Sequence, residues 1–238
     1  MIAVTFALPA ESQEFLGLLG SRSRVDRNGV PTIHGKIDDR PIEVLHTGVG
    51  EKVCRQRLEK FFQDQQFDCL ISAGFTGALT DDLRVGDLLL AKNFSTVDMG
   101  ERWSPSGSPI HFADMLTVSA LIESGEERSK LALTSGAVAV DMETEFIARV
   151  CAKLGVPLLS LRVISDTPRE LLPAPANVLF DVERQQTPML KLARYFLADP
   201  SHVPRLLRFA KRIRCARKVL ADALVDVVRN LPIKESAS

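Results

Sequence analysis

The sequence predicts an α/β domain with a mainly parallel sheet. Apolar, β-branched runs alternate along residues 1–166 with helical patterns, in which apolar residues recur every three or four positions. Polar or glycine-rich residues follow several of these runs, where the strands are expected to end. Strands that alternate with helices are typical of a layered domain whose helices cover a largely parallel sheet.

The elements follow one another in a regular order. The first predicted strand is "IAVTFAL" (2–8), and a helix after Pro9 is expected to end at Gly20. "TIHGKID" (32–38) and "RPIEVLHTG" (40–48) read as a hairpin, and "EKVCRQRLEKFFQDQ" (51–65) as a helix. Three further strands and one helix complete the pattern: "DCLISAG" (68–74), "DLLLAKNFS" (87–95), "PLLSLRVISD" (157–166) and "METEFIARVCAKLG" (142–155), which Gly155 should end.

Composition excludes several classes of protein. The 238 residues fit one large domain, or a domain with an appendage, and a formal charge of zero gives no field for binding polyanions. The four cysteines and four histidines lack metal-ligand spacing, so we expect no metal site and free thiols in a reducing cytosol. The N-terminus lacks the basic region of a signal peptide, and no apolar run reaches about 20 residues, the length of a spanning helix. These features predict a cytoplasmic protein.

The C-terminal part, from residue 167 onwards, differs from the rest of the chain in composition. A Pro-rich segment (167–188) is expected to be a loop, and "HVPRLLRFAKRIRCARKVLADALVDVVRN" (202–230) a long amphipathic helix with eight Lys or Arg against two Asp. We therefore divide the chain into a domain over 1–198, with its core at 1–166, and a basic C-terminal helix over 199–231. That helix either covers the sheet with a solvated face or contacts an anionic partner such as the inner face of a membrane.

Polar residues at strand ends are candidates for a binding site, because ligands of open α/β sheets lie beyond the carboxyl ends of the strands. The stretches concerned are "ALPAE" (7–11), "HTGVG" (46–50), "SAGFTGAL" (72–79), "RVISDTP" (162–168) and "VDMETE" (140–145). Each has a simpler explanation on its own: Glu11 complements a helix dipole, Asp166 caps a turn, and "VDMETE" starts a helix. Motifs for dinucleotide, P-loop, nucleophile-elbow and zinc-protease sites are absent from the sequence.

In their order along the chain, these segments resemble the nucleoside phosphorylase/nucleosidase superfamily. Within it, they are most similar to 5′-methylthioadenosine/S-adenosylhomocysteine nucleosidases, over roughly residues 1–166. "TGVGEK" (47–52) resembles the family's "SGIGK" loop, and "SAGFTGALTDDLRVGD" (72–87) its "TGSAGGL…LKVGD" loop. "VDMETEFIARVCAKLGVPLLSLRVISD" (140–166) resembles its "VEMEA…VPF…RAISD" block. The resemblance implies a three-layer α/β/α fold with a mixed, mainly parallel central sheet, and homo-oligomers of two or more chains.

The resemblance also implies roles in cleaving the N-glycosidic bond of a purine nucleoside. Asp166 matches the general acid that protonates purine N7, which requires a raised pKa in an apolar pocket. Glu143 matches the carboxylate that accepts hydrogen bonds from the ribose hydroxyls, and Met142 packs against the sugar. Glu11 matches the general base on the attacking water, and Arg162 helps to position that water. No cofactor is implied, and the partner is a small purine nucleoside rather than a nucleic acid.

Four further residues are implied to contact the substrate: Gly48, Gly74, Phe75 and Ser165. Phosphorylases of the superfamily place an arginine at the start of the glycine loop, where this chain has Ser72, and "ALPAES" has no basic residue. Water is therefore favoured over phosphate, which would be the co-substrate of a phosphorylase. Phe75 replaces a small serine, and the segment 123–136 that usually supplies an aromatic over the base is shortened.

These departures resemble the hopanoid-associated branch, whose members are thought to remove adenine from adenosylhopane and carry a similar Pro-rich segment and basic helix. A purine nucleoside phosphorylase and a non-catalytic nucleoside-binding or sensor module stay open as alternatives. So does an α/β domain whose acids are only helix caps. The role of Asp141 is unassigned.

Overall fold

A ten-stranded sheet forms the centre of the molecule in the computed structural model, which describes residues 1–63, 65–99, 108–170, 172–181, 185 and 188–231. Its strands are β1 (Ile2–Phe6), β2 (Gly20–Arg27), β3 (Val30–Ile37), β4 (Arg40–His46), β5 (Cys69–Ala78), β6 (Leu88–Ala91), β7 (Ile110–Ala113), β8 (Met115–Thr117), β9 (Ala139–Asp141) and β10 (Leu158–Asp166). The helices are α1 (Pro9–Leu18), α2 (Glu51–Phe62), α3 (Gly125–Ser135), α4 (Thr144–Leu154), α5 (Ala176–Leu179), α6 (Met189–Ala198) and α7 (Val203–Asn230).

The sheet is parallel at its centre and antiparallel at its β2 edge, whereas the β6–β7 pair at the other edge is parallel within itself and joins the centre antiparallel through β10. The strand order is β2-β3-β4-β1-β5-β10-β6-β7, and β4, β1, β5 and β10 run parallel to one another. The pairings β2–β3, β3–β4 and β10–β6 are antiparallel, and the short strands β8 and β9 join the sheet through β5. The central strands are buried apolar runs because helices cover both of their faces.

Helices form one layer on each side of the sheet. On one side, Val4 and Phe6 of β1 share a core cluster with Phe15 of α1 and Leu224 of α7. On the other side, a second cluster joins residues of β1, β4 and β5 to α2 and α4: Ala3, Leu45, Leu58, Phe61, Leu70, Ile147 and Val150. Adjacent residues of β1 face opposite layers because side chains alternate along a strand. The expected three-layer α/β/α fold with a mixed sheet is confirmed.

Several elements differ from the sequence prediction. Gly20 does not end a helix: α1 ends at Leu18, and Gly20 begins β2, an exposed strand whose polar sequence gives little alternation. The strand expected over 87–95 is limited to β6. The sequence also gave no sign of β7–β9, which are three or four residues long, or of α3 in the shortened segment 123–136. Gly155 ends α4 as expected, with a left-handed φ of 67°.

The C-terminal helix has two different halves. Towards its end, Leu220, Leu224 and Val228 are fully buried against the sheet, and α1 and β10 are its main neighbours. Its first half carries most of the basic residues and is largely exposed. Within the described residues, no helix combines the length and hydrophobicity needed to cross a membrane. Parts of the Pro-rich segment (171, 182–184 and 186–187) lie outside the described residues, and the division at 198 stays a prediction.

Candidate active site

The parallel strands β1, β4, β5 and β10 bring the predicted site residues to one edge of the sheet. Glu11 follows β1, and the loop 47–50 follows β4. Gly74 and Phe75 lie on β5, and Asp166 ends the adjacent strand β10, with which β5 pairs in parallel. Glu143 is the residue immediately before α4, and its side chain reaches the same edge, where it contacts Gly50. The topology therefore assembles segments that are far apart in the sequence.

Glu11 is buried in the first turn of α1 and accepts two backbone hydrogen bonds. Its Oε2 accepts from the Leu8 N–H at 2.9 Å, and its Oε1 accepts from the Phe75 N–H at 3.3 Å. A Cβ atom at Gly74 would lie 3.3 Å from Oε1, so a glycine there lets the carboxylate approach the strand. Burial raises the pKa of Glu11, although the two N–H groups and the charge of Arg162 act in the opposite direction. Glu11 thus serves the helix start and also presents a carboxyl group to the strand edge.

Glu143 is a second, half-buried carboxyl group at this edge. Its Oε1 accepts a hydrogen bond from the Gly50 N–H at 3.2 Å. Burial, followed by the negative charges of Asp141 and Glu11, raises the pKa of Glu143 to about 8. The negative charge of Glu11 thus contributes to the raised pKa of Glu143. Met142, which precedes Glu143, is half-buried.

The loop after β4 is held in place by a side chain from the Pro-rich segment. Gln185 accepts a hydrogen bond from the Val49 N–H at 2.6 Å and donates one to the Val49 carbonyl at 2.9 Å. Gly48 has a φ of 78°, and a Cβ atom there would come within 2.7 Å of Val53 and 2.9 Å of Gln185. A glycine is therefore required at position 48 both by the backbone and by the space around it.

Arg162 is buried on β10 with donors from all three of its nitrogens engaged. Nη1 donates to the carbonyls of Ser72 and Leu161, at 2.6 and 3.0 Å. Nη2 donates to the hydroxyls of Ser72 and Thr144, at 2.8 and 2.6 Å, and both Nη2 and Nε contact Asp141. Arg162 therefore holds neighbouring segments together through hydrogen bonds. Its positive charge also acts on Glu11, whose pKa it lowers.

Asp141, which the sequence left unassigned, is the partner of this arginine. Its carboxylate accepts hydrogen bonds from the Thr117 hydroxyl at 2.8 Å and from the Thr144 N–H at 3.1 Å, in addition to the Arg162 contacts. The Thr144 hydroxyl also donates to it. Asp141 therefore ties β8, β10 and the start of α4 together, and the acids of "VDMETE" divide between a structural link (Asp141) and a pocket group (Glu143).

Asp166 lies in a different environment from the one expected. The sequence suggested an apolar pocket, but both carboxylate oxygens have polar partners. Oδ1 accepts from the Ser165 hydroxyl at 2.6 Å, and Oδ2 forms a buried ion pair with Arg128. The apolar residues of β10 surround its backbone rather than its carboxylate. The expected apolar environment is therefore wrong, because a helix that the sequence did not indicate carries a cation to this position.

Arg128 is the residue of this site that sequence reasoning missed. It lies in the first turn of α3, and it is 2% exposed. Nothing in "GEERSK" distinguishes it from neighbouring exposed charges, since arginines are seldom buried and a short helix can be rotated in several ways. Gln185 was missed for a related reason: its partner, Val49, is 136 residues away in the chain.

The described residues hold no cluster of His, Cys, Asp or Glu side chains that could bind a metal ion. A cleft of about 650 Å³ lies beside the carboxylates rather than on them. It runs between the loop 81–86, residues 167–170 and α7, and its basic lining residues are Arg84, Arg169, Lys211 and Arg212. Two of these cations are neutralised by ion pairs, Arg169 by Asp81 and Arg212 by Glu170.

Comparison with known proteins finds similarity to one superfamily and to one type of nucleosidase. The Phosphorylase superfamily matches residues 106–198. The 5′-methylthioadenosine/S-adenosylhomocysteine nucleosidase of Haemophilus influenzae (strain 86-028NP) is 22% identical over 195 residues, which are 69% of this chain and 85% of the relative. That of Staphylococcus aureus (strain MRSA252) is 23% identical over 196 residues, 70% of this chain and 86% of the relative.

Solved structures show the shared fold. A nucleosidase of the same type from S. pneumoniae, bound to the transition-state inhibitor MT-ImmA, superimposes with a TM-score of 0.70 at 18% identity, covering 96% of this chain and 98% of that one. The native futalosine hydrolase of Helicobacter pylori strain 26695 gives a TM-score of 0.68 at 18% identity, covering 97% of both chains. The resemblance predicted from the motifs is confirmed at the level of the superfamily and of these nucleosidases.

Proposed function

From the resemblance to the Phosphorylase superfamily and its nucleosidases, we propose that this chain is a nucleosidase that hydrolyses the N-glycosidic bond of a purine nucleoside, with adenine as the leaving base. The observation that carries the proposal is a pair of carboxyl groups at the strand edge, the buried Glu11 and the half-buried Glu143, whose pKa values are both raised by removal from water. A helix cap needs no such burial, whereas acid–base chemistry near neutral pH benefits from carboxyl groups with raised pKa values.

Each group takes one part of the reaction. Asp166 gives a proton to purine N7, and the C1′–N9 bond breaks with its electron pair passing to the base. Water attacks C1′ and gives a proton to Glu11, whose raised pKa suits a general base. Glu143, beside the Gly50 N–H, holds the ribose hydroxyls with Met142 against the sugar. The remaining contacts with the substrate are made by Gly48, Gly74, Phe75 and Ser165.

Water rather than phosphate is favoured as the nucleophile by the charges of the site. Arg162 is the cation whose charge acts on the pKa of Glu11. Each of its nitrogens, however, already donates a hydrogen bond to a protein oxygen. A phosphate dianion would also meet the carboxyl groups of Glu11 and Glu143. A phosphorylase needs donors that can grip phosphate, usually from arginine. The alternative of a phosphorylase therefore has little support at this edge of the sheet.

The test is the release of free adenine from 5′-methylthioadenosine in the presence and absence of phosphate. We expect equal rates in phosphate-free buffer and in phosphate, and a loss of about 10²-fold or more for Asp166→Asn, the range of general acid catalysis. A strict requirement for phosphate would identify a phosphorylase. Tight nucleoside binding without turnover of any purine nucleoside, unchanged by Asp166→Asn, would instead identify a sensor module.

The group attached to the 5′ carbon is proposed to be large and apolar, as in adenosylhopane. Phe75 supports this, since the resemblance leads one to expect a serine there, whereas this chain has a half-buried aromatic that packs against an apolar core cluster. Good turnover of methylthioadenosine with no adenine release from a hopanoid or polyprenoid adenosine would contradict it.

The same proposal includes contact with an anionic membrane through α6 and the first half of α7. Leu190, Leu197 and Leu207 are 85, 80 and 64% exposed on these helices, and basic residues flank them: Lys191, Arg194, Arg205, Arg208 and Lys211. Exposed apolar residues that have basic residues near them in the sequence suit anionic lipid. Sedimentation with vesicles containing phosphatidylglycerol should show binding that weakens in salt, and no binding would contradict the proposal. Assembly into a homo-oligomer stays a prediction from the resemblance, which light scattering would test.

A further inference from the structure

A buried ion pair joins Arg128 to Asp166, the last residue of β10 and the proposed general acid. Besides Asp166, the Arg128 guanidinium donates to the carbonyls of Ala78 and Ile122, at 3.0 and 3.1 Å. Its side chain is 3% exposed, and the Asp166 side chain is 8% exposed. Burying a guanidinium is costly unless it is paired and hydrogen-bonded. The arginine is therefore held in place by two carbonyls that belong to different segments, and its charge is directed at Asp166.

The backbone of β5 and of α3 comes close to this pair and to the segment that follows it. A Cβ atom at Gly77 would lie 3.0 Å from both Arg128 Nη1 and Asp166 Oδ2. A Cβ atom at Gly125, the first residue of α3, would lie 3.6 Å from the Pro168 carbonyl, so the helix starts against the segment that follows Asp166. The arginine therefore lies close to the backbone of β5 at Gly77, and its helix begins against Pro168.

We propose that Arg128 is a positioning residue for Asp166, which orients the carboxyl group towards the leaving base and stabilises the carboxylate that remains after proton transfer. This inference rests on the proposed function. When Asp166 gives its proton to the purine, a negative charge is left in a buried site. Arg128 neutralises that charge, while the second oxygen is held by the Ser165 hydroxyl. Arg128 thereby favours departure of the base without touching the sugar or the attacking water.

The other charged groups near this end of β10 have partners of their own. Asp87 contacts the Arg84 N–H and His111, and Glu170 pairs with Arg212. Glu11 and Glu143 form the separate carboxyl pair described above, and Arg169 pairs with Asp81. Among the described residues, Arg128 is the cation in direct contact with Asp166.

The experiment compares two substrates, one whose leaving group must be protonated and one whose leaving group departs without a proton. Methylthioadenosine requires protonation of adenine, whereas 4-nitrophenyl β-D-ribofuranoside releases a phenolate that leaves without a proton. For Arg128→Met, we expect kcat/KM to fall about 10²-fold or more on methylthioadenosine, the range for general acid catalysis, and less than about fivefold on the nitrophenyl riboside. Arg128→Lys should recover part of the loss because it keeps the positive charge. Arg149→Met, at an exposed arginine of α4, is the matched control and should match the wild type.

The pH profile provides a second readout that a purely structural role would not move. We expect the limb at which kcat/KM on methylthioadenosine falls with rising pH to move to higher pH in Arg128→Met. The reason is that removing a neighbouring positive charge makes a carboxyl group hold its proton more tightly. Gly77→Ala, whose methyl group would meet both members of the pair, should reproduce the selective loss on methylthioadenosine.

Equal losses on the two substrates, or wild-type rates in Arg128→Met, would overturn the inference and leave the proposed function intact. If the wild type does not hydrolyse the nitrophenyl riboside, an unmoved pH limb in Arg128→Met overturns it. A wild-type protein that cleaves no purine nucleoside would instead refute the proposed function itself.

Discussion

Asp141 shows how one buried carboxylate can carry much of a site's structure. It joins β8, β10 and α4 through Thr117, Arg162 and Thr144. Asp141→Asn keeps the shape of the side chain but leaves the Arg162 guanidinium buried without its counter-charge. We expect a loss of about 3–5 kcal/mol in the free energy of unfolding, as for other broken buried ion pairs. Urea denaturation followed by circular dichroism measures it.

The matched control is Glu145→Gln, four residues further along the same segment. Glu145 pairs with Arg149 on the exposed face of α4, and pairs of this kind contribute about 0.3–0.5 kcal/mol. A similar loss in the two variants would show that the buried pair contributes no more than a surface pair does.

Glu143 should make the protein less stable as the pH rises. Burial and nearby carboxylates raise the pKa of Glu143 from its ordinary value of 4.5 to about 8 in the folded chain. At pH 4 the group is protonated in both states and contributes nothing. Between pH 4.5 and 8 only the unfolded chain loses this proton, so unfolding becomes easier until the folded group also ionises. Glu143→Gln removes this penalty and can still accept the Gly50 hydrogen bond.

We therefore expect Glu143→Gln to match the wild type near pH 4 and to exceed it in stability at pH 8. The gain should be at least about 1.4 kcal/mol, the equivalent of one pKa unit. Urea titrations of both proteins at the two pH values give the comparison. A difference that does not change with pH would mean that the pKa of Glu143 is not raised by folding.

At the scale of elements, α7 is both a core helix and a surface helix. Leu224 is fully buried in the cluster that includes β1, β5 and β10, whereas Leu207 is 64% exposed. Leu224→Ala should cost about 2–5 kcal/mol because it leaves a cavity next to the sheet. Leu207→Ala should change the free energy of unfolding by less than about 0.5 kcal/mol, as for most surface substitutions. Thermal or urea denaturation distinguishes them, and equal effects would contradict the burial of the second half of the helix.

At the scale of the whole molecule, the cysteines report on whether the three layers unfold together. Cys54, Cys69 and Cys151 are buried, and burial raises the pKa of each thiol to about 12, whereas Cys215 is exposed on α7. With Ellman's reagent at pH 8, we expect one fast thiol in the native protein and four in urea. The three buried thiols should become reactive in the same urea transition as the loss of helical circular dichroism. Cys215→Ser should abolish the fast reaction, and separate transitions would show that the layers unfold independently.

Strong local patterns were sufficient to predict much of this fold. The buried strands β1, β5 and β10 are long apolar runs, and α2 and α4 have helical apolar spacing, so their identity does not depend on distant residues. The motifs also named the segments that meet at the strand edge, where the charge of Glu11 contributes to the raised pKa of Glu143. Gly155 was predicted as a helix end because its position follows a regular helix, whereas Gly20 was misread because a polar edge strand leaves no periodic signal.

What the sequence by itself determined is therefore the layered α/β fold, its resemblance to nucleosidases and the acids that converge on one edge. Only the tertiary structure decided the partners of those acids. Asp141 meets Arg162, and Asp166 meets Arg128, across separations of 21 and 38 residues. Such pairings depend on how short helices and loops dock onto the sheet, and a charged residue that will be buried has the same local sequence pattern as one that stays in water.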